Sequence, residues 1–175
     1  MSSHVAPLVM LFLLAASGCW STSGRLIDHR FQDEHVSYDI GEPGEGWQRL
    51  RLERADVAWH NPTLGAGLLV NSACEGVQDS PLAGLTNELL IGTTERELLE
   101  QTLLPWSRRE ALESTVVGKL DGVVRKRVLF VLKKDGCVYD IVYDAPPTTF
   151  EAGLPSYRRL RDGFDVGPRR DRSAP

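Results

Sequence analysis

The run from Val123 to Tyr143, VVRKRVLFVLKKDGCVYDIVY, constrains the fold more than any other stretch of the chain. It reads as two strands joined at Asp135-Gly136, a dipeptide in which both residues tolerate the positive φ of a two-residue hairpin turn. Pairing across that turn sets Leu132 opposite Tyr139, Phe130 opposite Ile141 and Val128 opposite Tyr143, with Cys137 on the same face. The other face carries Lys133, Arg127, Asp140 and Asp144 among three valines and Leu129. A ladder with one strongly apolar face has to bury it, so the hairpin is expected at the centre of a sheet backed by helices.

The neighbouring segments extend this pattern. A strand from Glu110 to Leu120 enters the hairpin through a second turn, Asp121-Gly122. Simple pairing leaves Glu113 on the face of Phe130, and a bulge is expected to turn it away. Upstream, Trp47–Leu52, Val57–Trp59 and Gly65–Ala73 read as short strands, the last with Leu68, Val70, Ser72 and Cys74 on one side. The polar, glycine-broken stretch Arg25–Glu45 is expected to hold at most one strand, around Val36–Ile40.

Three helices are predicted. Asp79-Ser80-Pro81 supplies a capping residue and a proline at the first helical position, Leu82, Leu85 and Leu89 follow at helical spacing, and Gly92 ends the helix. Thr94 and Glu97 then have capping-box spacing, Leu98, Leu99 and Leu103 form an apolar stripe, and Pro105 is the stop. Both leucine stripes are read as core packing. After Ala145-Pro146-Pro147 closes the sheet, Phe150, Leu154, Tyr157, Leu160 and Phe164 share one helical face, capped by Thr148 or Thr149. Pro155 is expected to divide that segment into a short turn and a helix.

A chain of 175 residues, 42% hydrophobic and 25% charged, supports one globular domain with a proper core. A net charge of −4 gives no basic stripe of the kind nucleic-acid binding needs, so no nucleic-acid partner is expected. Arg125–Arg127, Lys133-Lys134, Arg158-Arg159 and Arg169–Arg172 are interleaved with acids and read as solvated faces and a frayed tail. His29 and His35, near Asp28, Asp33 and Glu34, match no metal-ligand spacing and read as loop residues; no metal or cofactor is expected.

Val5–Ser17 is almost wholly apolar or small. At about 13 residues it is short of the roughly 20 that span a bilayer and fits the apolar region of a signal peptide. The segment LLAASGC ending at Cys19 resembles the lipobox of bacterial lipoproteins, with Ala16 where leucine is preferred and no Lys or Arg before the apolar run. The resemblance implies removal of residues 1–18, acylation of Cys19, and a membrane partner through that anchor. Plain secretion is the competing reading, since Ala16-Ser17-Gly18 also has the form of an ordinary cleavage site. Trp20 stands where aspartate would signal inner-membrane retention, and the resemblance therefore points to the outer membrane, facing the periplasm. The expected organisation is signal peptide 1–18, lipidated cysteine and tether 19–35, an α+β domain 36–165, and a disordered tail 166–175.

With Cys19 acylated, Cys74 and Cys137 remain, in a chain bound for an oxidising compartment. If their strands lie side by side, a disulfide is geometrically reasonable, and closing a loop of about 64 residues is worth roughly 4 kcal/mol in the chain-entropy account. Two buried thiols are the alternative. There is no G-x-S-x-G, phosphate-binding glycine loop, H-E-x-x-H or C-x-x-C. A thiol enzyme pairing Cys74 or Cys137 with His60 is weighed and set below a non-catalytic reading. Asp140 and Asp144 are expected to form a salt-bridge ladder with Arg127 and Lys133.

The succession of strands, helices, three-stranded meander and closing helix describes an α+β fold, an antiparallel sheet of about six strands flanked by helices. The Trp47 entry after a glycine-rich turn, the Pro81 helix, and the Asp121-Gly122 meander running into CVYDIVYDAPPTTF resemble the PsbP-like α-β-α sandwich over about residues 36–165. That fold is shared by extrinsic photosystem subunits, the Ran-binding Mog family and bacterial envelope lipoproteins. Cystatin-like and lipocalin-like sheets are the runners-up. The resemblance implies a binding or assembly accessory to an envelope protein complex and carries over no catalytic residue. The alternative is a carrier for a small apolar ligand or lipid, with Trp59, Phe130, Tyr139, Tyr143 and Phe164 lining the pocket.

Overall fold

The computed structural model describes residues 24–75 and 80–167. The signal-peptide reading, Cys19, most of the tether, Asp79 and the tail beyond Gly167 lie outside them. Thirteen elements follow in chain order: β1 (Arg25–Ile27), β2 (Arg30–Gln32), β3 (Ser37–Asp39), β4 (Gln48–Leu50), β5 (Val57–Asn61), β6 (Ala66–Ala73), α1 (Leu82–Glu88), β7 (Thr93–Trp106), β8 (Arg109–Leu120), β9 (Val123–Lys134), β10 (Cys137–Ala145), α2 (Phe150–Asp162) and β11 (Asp165–Val166). They form an antiparallel seven-stranded sheet, ordered β4-β5-β6-β10-β9-β8-β7, and a four-stranded one, ordered β1-β2-β3-β11.

The organising hairpin pairs in the predicted register, Leu132 with Tyr139, Phe130 with Ile141 and Val128 with Tyr143. Its turn residues Asp135 and Gly136 both have positive φ, as do Asp121 and Gly122 between β8 and β9. The six paired side chains and Cys137 are buried in one continuous core with Phe31, Tyr38, Tyr157 and Phe164 from the small sheet, α2 and its exit. On the opposite face α1 covers a smaller cluster of Leu90, Val116 and Leu129. The layering is therefore helix and small sheet, large sheet, helix. The described residues are α+β, with eleven strands in two sheets where about six in one sheet are expected.

Three further expectations are corrected. Arg25–Gln32 is not tether: it forms β1 and β2, which pair with each other and with β3. Their turn, Asp28-His29, takes positive φ at both residues without a glycine to advertise it. Val166, expected in the tail, is buried and pairs with Tyr38. Pro155 does not divide the closing helix, which runs unbroken through it. Burial of Phe150 and Gly153 on one side of Pro155, and of Tyr157 and Leu160 on the other, keeps the segment helical despite the missing N–H. Gly153 permits that docking, because a Cβ there would lie 2.3 Å from the Tyr143 hydroxyl.

The largest correction is Thr94–Pro105, predicted as a helix. It is β7, the fourteen-residue edge of the large sheet, paired with β8 along its length. Gly92, at φ 82°, turns the chain out of α1, and Ser107-Arg108 closes the β7–β8 hairpin with positive φ at both residues. Irregularities between Thr94 and Glu97 and between Leu98 and Glu100 each insert one extra residue in β7. Pro81, expected at the first helical position of α1, sits one residue earlier as its N-cap.

Candidate functional site

The structure joins Cys74 to Cys137, across the paired ends of β6 and β10. In that state neither cysteine offers a thiolate, so the Cys–His60 pairing has no nucleophile. The five aromatic side chains read as a pocket lining are all in the core. Phe130 and Tyr139 each lie within 6.0 Å of the Phe164 ring, centroid to centroid, and Tyr143 meets Phe150 at 5.0 Å. Trp59 is stacked under Arg49 at 5.4 Å. The structure brings Phe130, Tyr139 and Phe164 together as packed rings and puts Tyr143 and Trp59 elsewhere in the same core.

The charge ladder forms in altered shape. Asp144 accepts from Arg127 Nε at 2.8 Å and also from Arg125, which the sequence reading passed over. Arg127 extends the contact to the Thr93 hydroxyl at 3.0 Å. Lys133 instead donates to the Ser80 carbonyl at 3.1 Å. Among the described residues Asp140 stays out of the ladder, and its enclosed Oδ1 has no hydrogen-bond partner. Burial, then Glu88 and Asp56, pushes its carboxyl up to about 7. Asp56 is pushed up to about 6 by burial, although the Ser72 and Tyr38 hydroxyls donate to it at 2.5 and 3.0 Å and pull the other way.

No bulge removes Glu113 from the core face. It remains opposite Phe130 in a regular β8–β9 ladder. Its Oε2 accepts from the Tyr157 hydroxyl at 2.5 Å and Arg161 Nη1 at 2.7 Å, both on α2. A carboxylate facing a core is tolerable when hydrogen bonds and an opposite charge meet it there, and this pair docks α2 on the sheet. His29 and His35 lie beside Glu42 and Glu34 at 3.3 and 3.2 Å, largely exposed, as the loop reading expects.

The surface feature that the sequence reading missed is β7 itself. Leu98, Leu99 and Leu103 are 56%, 47% and 57% exposed. Register puts Leu98 beside Val116 and Leu103 beside Leu112, on the α1 face of the sheet, while Glu97, Glu100 and Thr102 point to the other side. The two-residue turn makes Trp106 and Arg109 a hydrogen-bonded pair, and alternation then gives Leu104, Thr102 and Glu100 bonds to β8. The backbone N–H and C=O of Gln101 and Leu103 therefore face outward, and so does the nitrogen of Pro105, where its missing hydrogen costs nothing. Among the described residues, Glu97 and Glu100 have no ionic partner; Glu95 is held by Lys119 at 2.7 Å. The result is an acidic edge with a leucine margin.

Compared by sequence, the chain matches no described protein family and no curated protein. Compared by structure, it is similar to the cyanobacterial PsbP of Synechocystis, at 14% identity and a TM-score of 0.53, over 87% of this chain and 98% of that one. The fold is PsbP-like. The same fold is found in LpqN of Mycobacterium tuberculosis, described as involved in cell envelope biogenesis, at 13% identity and a TM-score of 0.54, over 76% of this chain and 86% of LpqN. It is found again in PA94 of Pseudomonas aeruginosa, of unknown function, at 11% identity and a TM-score of 0.53, over 85% of this chain and 97% of PA94.

Proposed function

We propose that this chain is an envelope lipoprotein, anchored through acylated Cys19 after loss of residues 1–18, whose PsbP-like domain works by contact with a protein partner. Its task is binding or assembly within an envelope complex, without catalysis, on the periplasmic side of the outer membrane. The observation that carries the reading is β7, which leaves three leucines in water along an unpaired edge of the large sheet. An apolar margin of this kind on a small domain marks a contact surface. The Cys74–Cys137 bridge supports an oxidising compartment, and the envelope role of LpqN, on the same fold, supports the address.

Two measurements test it. Intact-mass analysis of the membrane-extracted protein is expected to show a chain beginning at Cys19 with a diacylglycerol adduct; an unprocessed start would sink the anchor. Photo-crosslinking in intact cells from position 98 is expected to capture one envelope protein at near-stoichiometric yield, with little capture from exposed Arg158 on α2. A turnover abolished by changing a single side chain would refute the contact reading.

A further inference from the structure

We propose that β7 binds its partner by strand addition: an extended partner segment, alternating apolar residues with lysine or arginine, pairs along Gln101 and Leu103. This rests on reading the domain as a contact module and specifies the surface and the chemistry of what it contacts.

Three observations carry the choice. First, outward backbone groups are available only on part of β7. The irregularities on either side of Glu97 bend the strand, and Pro105 lacks a donor, so regular pairing is confined to about Glu100–Leu104. Natural edges use bulges and proline to refuse indiscriminate pairing, and here they leave one short window open. Second, the side chains flanking that window are sorted by face. Leu98 and Leu103 offer apolar contacts on the α1 side, while Glu97 and Glu100 offer carboxylates on the other. A strand added beside them has its own side chains alternating between the same two faces, so one face takes apolar residues and the other takes cations.

Third, the strand's charge disfavours a second copy as occupant. β7 carries Glu95, Glu97 and Glu100 against the single cation Arg96. The Arg96 side chain lies back over Gly118, whose added Cβ would sit 3.4 Å from its Cγ. A second β7 edge laid alongside would add its own glutamates to an edge that is already acidic, with Arg96 turned toward its own sheet. A basic segment removes that repulsion. Strand addition of this kind draws affinity from main-chain bonds and specificity from alternate side chains.

The test uses the full-length protein and two synthetic octapeptides, alternating lysine–valine and glutamate–valine, with residue-resolved amide exchange. The lysine peptide is expected to slow exchange at Gln101 and Leu103, and the glutamate peptide to leave both unchanged. Methylating alternate backbone nitrogens of the lysine peptide is expected to weaken binding about tenfold, without altering the protein. Leu103→Pro removes an outward donor and is expected to have the same effect, whereas Leu103→Val retains binding. Equal response to both peptides, no protection at either amide, or full binding by the methylated peptide would overturn the proposal. So would protection at Gln101 and Leu103 that rises with protein concentration alone, because the occupant would then be a second copy. If cells yield a partner crosslinked elsewhere on the domain, contact stands and strand addition at β7 falls. If the peptides bind as expected but cells yield no partner, the contact function falls and the edge remains a binding site.

Discussion

The β9–β10 hairpin and the β7–β8 hairpin have the same construction and opposite fates. Each is a long antiparallel ribbon closed by two residues of positive φ, and each carries aliphatic residues along its length. In β9, Val128, Phe130 and Leu132 meet α2, the small sheet and the aromatic cluster around Phe164 and disappear from solvent. In β7, Leu98, Leu99 and Leu103 meet nothing within the described chain that covers them. The difference lies in position within the sheet. A strand paired on both sides and backed by a helix has its apolar residues buried by the fold, while an edge strand keeps one row of backbone groups and its neighbouring side chains for something else. An apolar residue here is core or contact surface according to what the rest of the chain lays over it.

Substitutions should separate the two ribbons sharply. Phe130→Ala removes a fully buried ring from contact with Trp106 and Phe164 and is expected to cost about 3–5 kcal/mol in urea unfolding. Leaving the β6–β10 junction without its bridge, by Cys74→Ser with Cys137→Ser, is expected to cost roughly 2–4 kcal/mol. Glu113→Gln retains the shape and removes the charge that holds Arg161 and Tyr157, with an expected loss of about 1.5–3 kcal/mol. A smaller loss for Glu113→Gln than for an exposed glutamate such as Glu97→Gln would mean that α2 docks without it.

Asp140 gives the comparison a pH axis, because it belongs to the well-packed half of the sheet yet its Oδ1 has no hydrogen-bond partner among the described residues. Its carboxyl is raised to about 7 in the folded chain, against about 3.9 unfolded, and the folded state therefore binds the proton more tightly. The associated stability is fully present below about pH 4 and is lost as pH rises through about 7. Asp56, raised to about 6, acts in the same direction. Asp140→Asn is expected to flatten the stability profile between those limits and to stabilise the protein at pH 8 by about 1–2 kcal/mol. An unchanged profile would show that the carboxyl finds a partner in solution. The smallest effect is expected at the edge turn, where Arg108→Gly relieves a left-handed non-glycine residue and should stabilise by about 0.5–1 kcal/mol.

How much of this could be read from sequence depends on which turns announce themselves. Asp121-Gly122 and Asp135-Gly136 carry glycine at the second position, and the strands on either side are legible in extent and register. Asp28-His29 and Ser107-Arg108 adopt the same backbone without glycine, and the hairpins they close, β1–β2 and β7–β8, go unseen. At β7 the local signals also favour a helix, since Thr94 and Glu97 have capping-box spacing and the leucines fit a helical face. Pairing with β8 overrides them through contacts no local window contains. Glu113 fails in a related way. Its partners Tyr157 and Arg161 stand 44 and 48 residues away, and a sequence reading sees only a charge on an apolar face. The aromatic residues were legible as one cluster, but whether rings line a space or fill it depends on packing that their spacing does not encode.

The most direct test sets one leucine from each ribbon in the same experiment. Leu132→Ser and Leu103→Ser place the same substitution on adjacent halves of one sheet, and both variants can be unfolded in urea under identical conditions. Loss of about 3 kcal/mol or more at Leu132, with a change within about 0.5 kcal/mol at Leu103, is the expected result. Comparable losses at the two positions would contradict the account, because β7 would then be core and no longer available for contact.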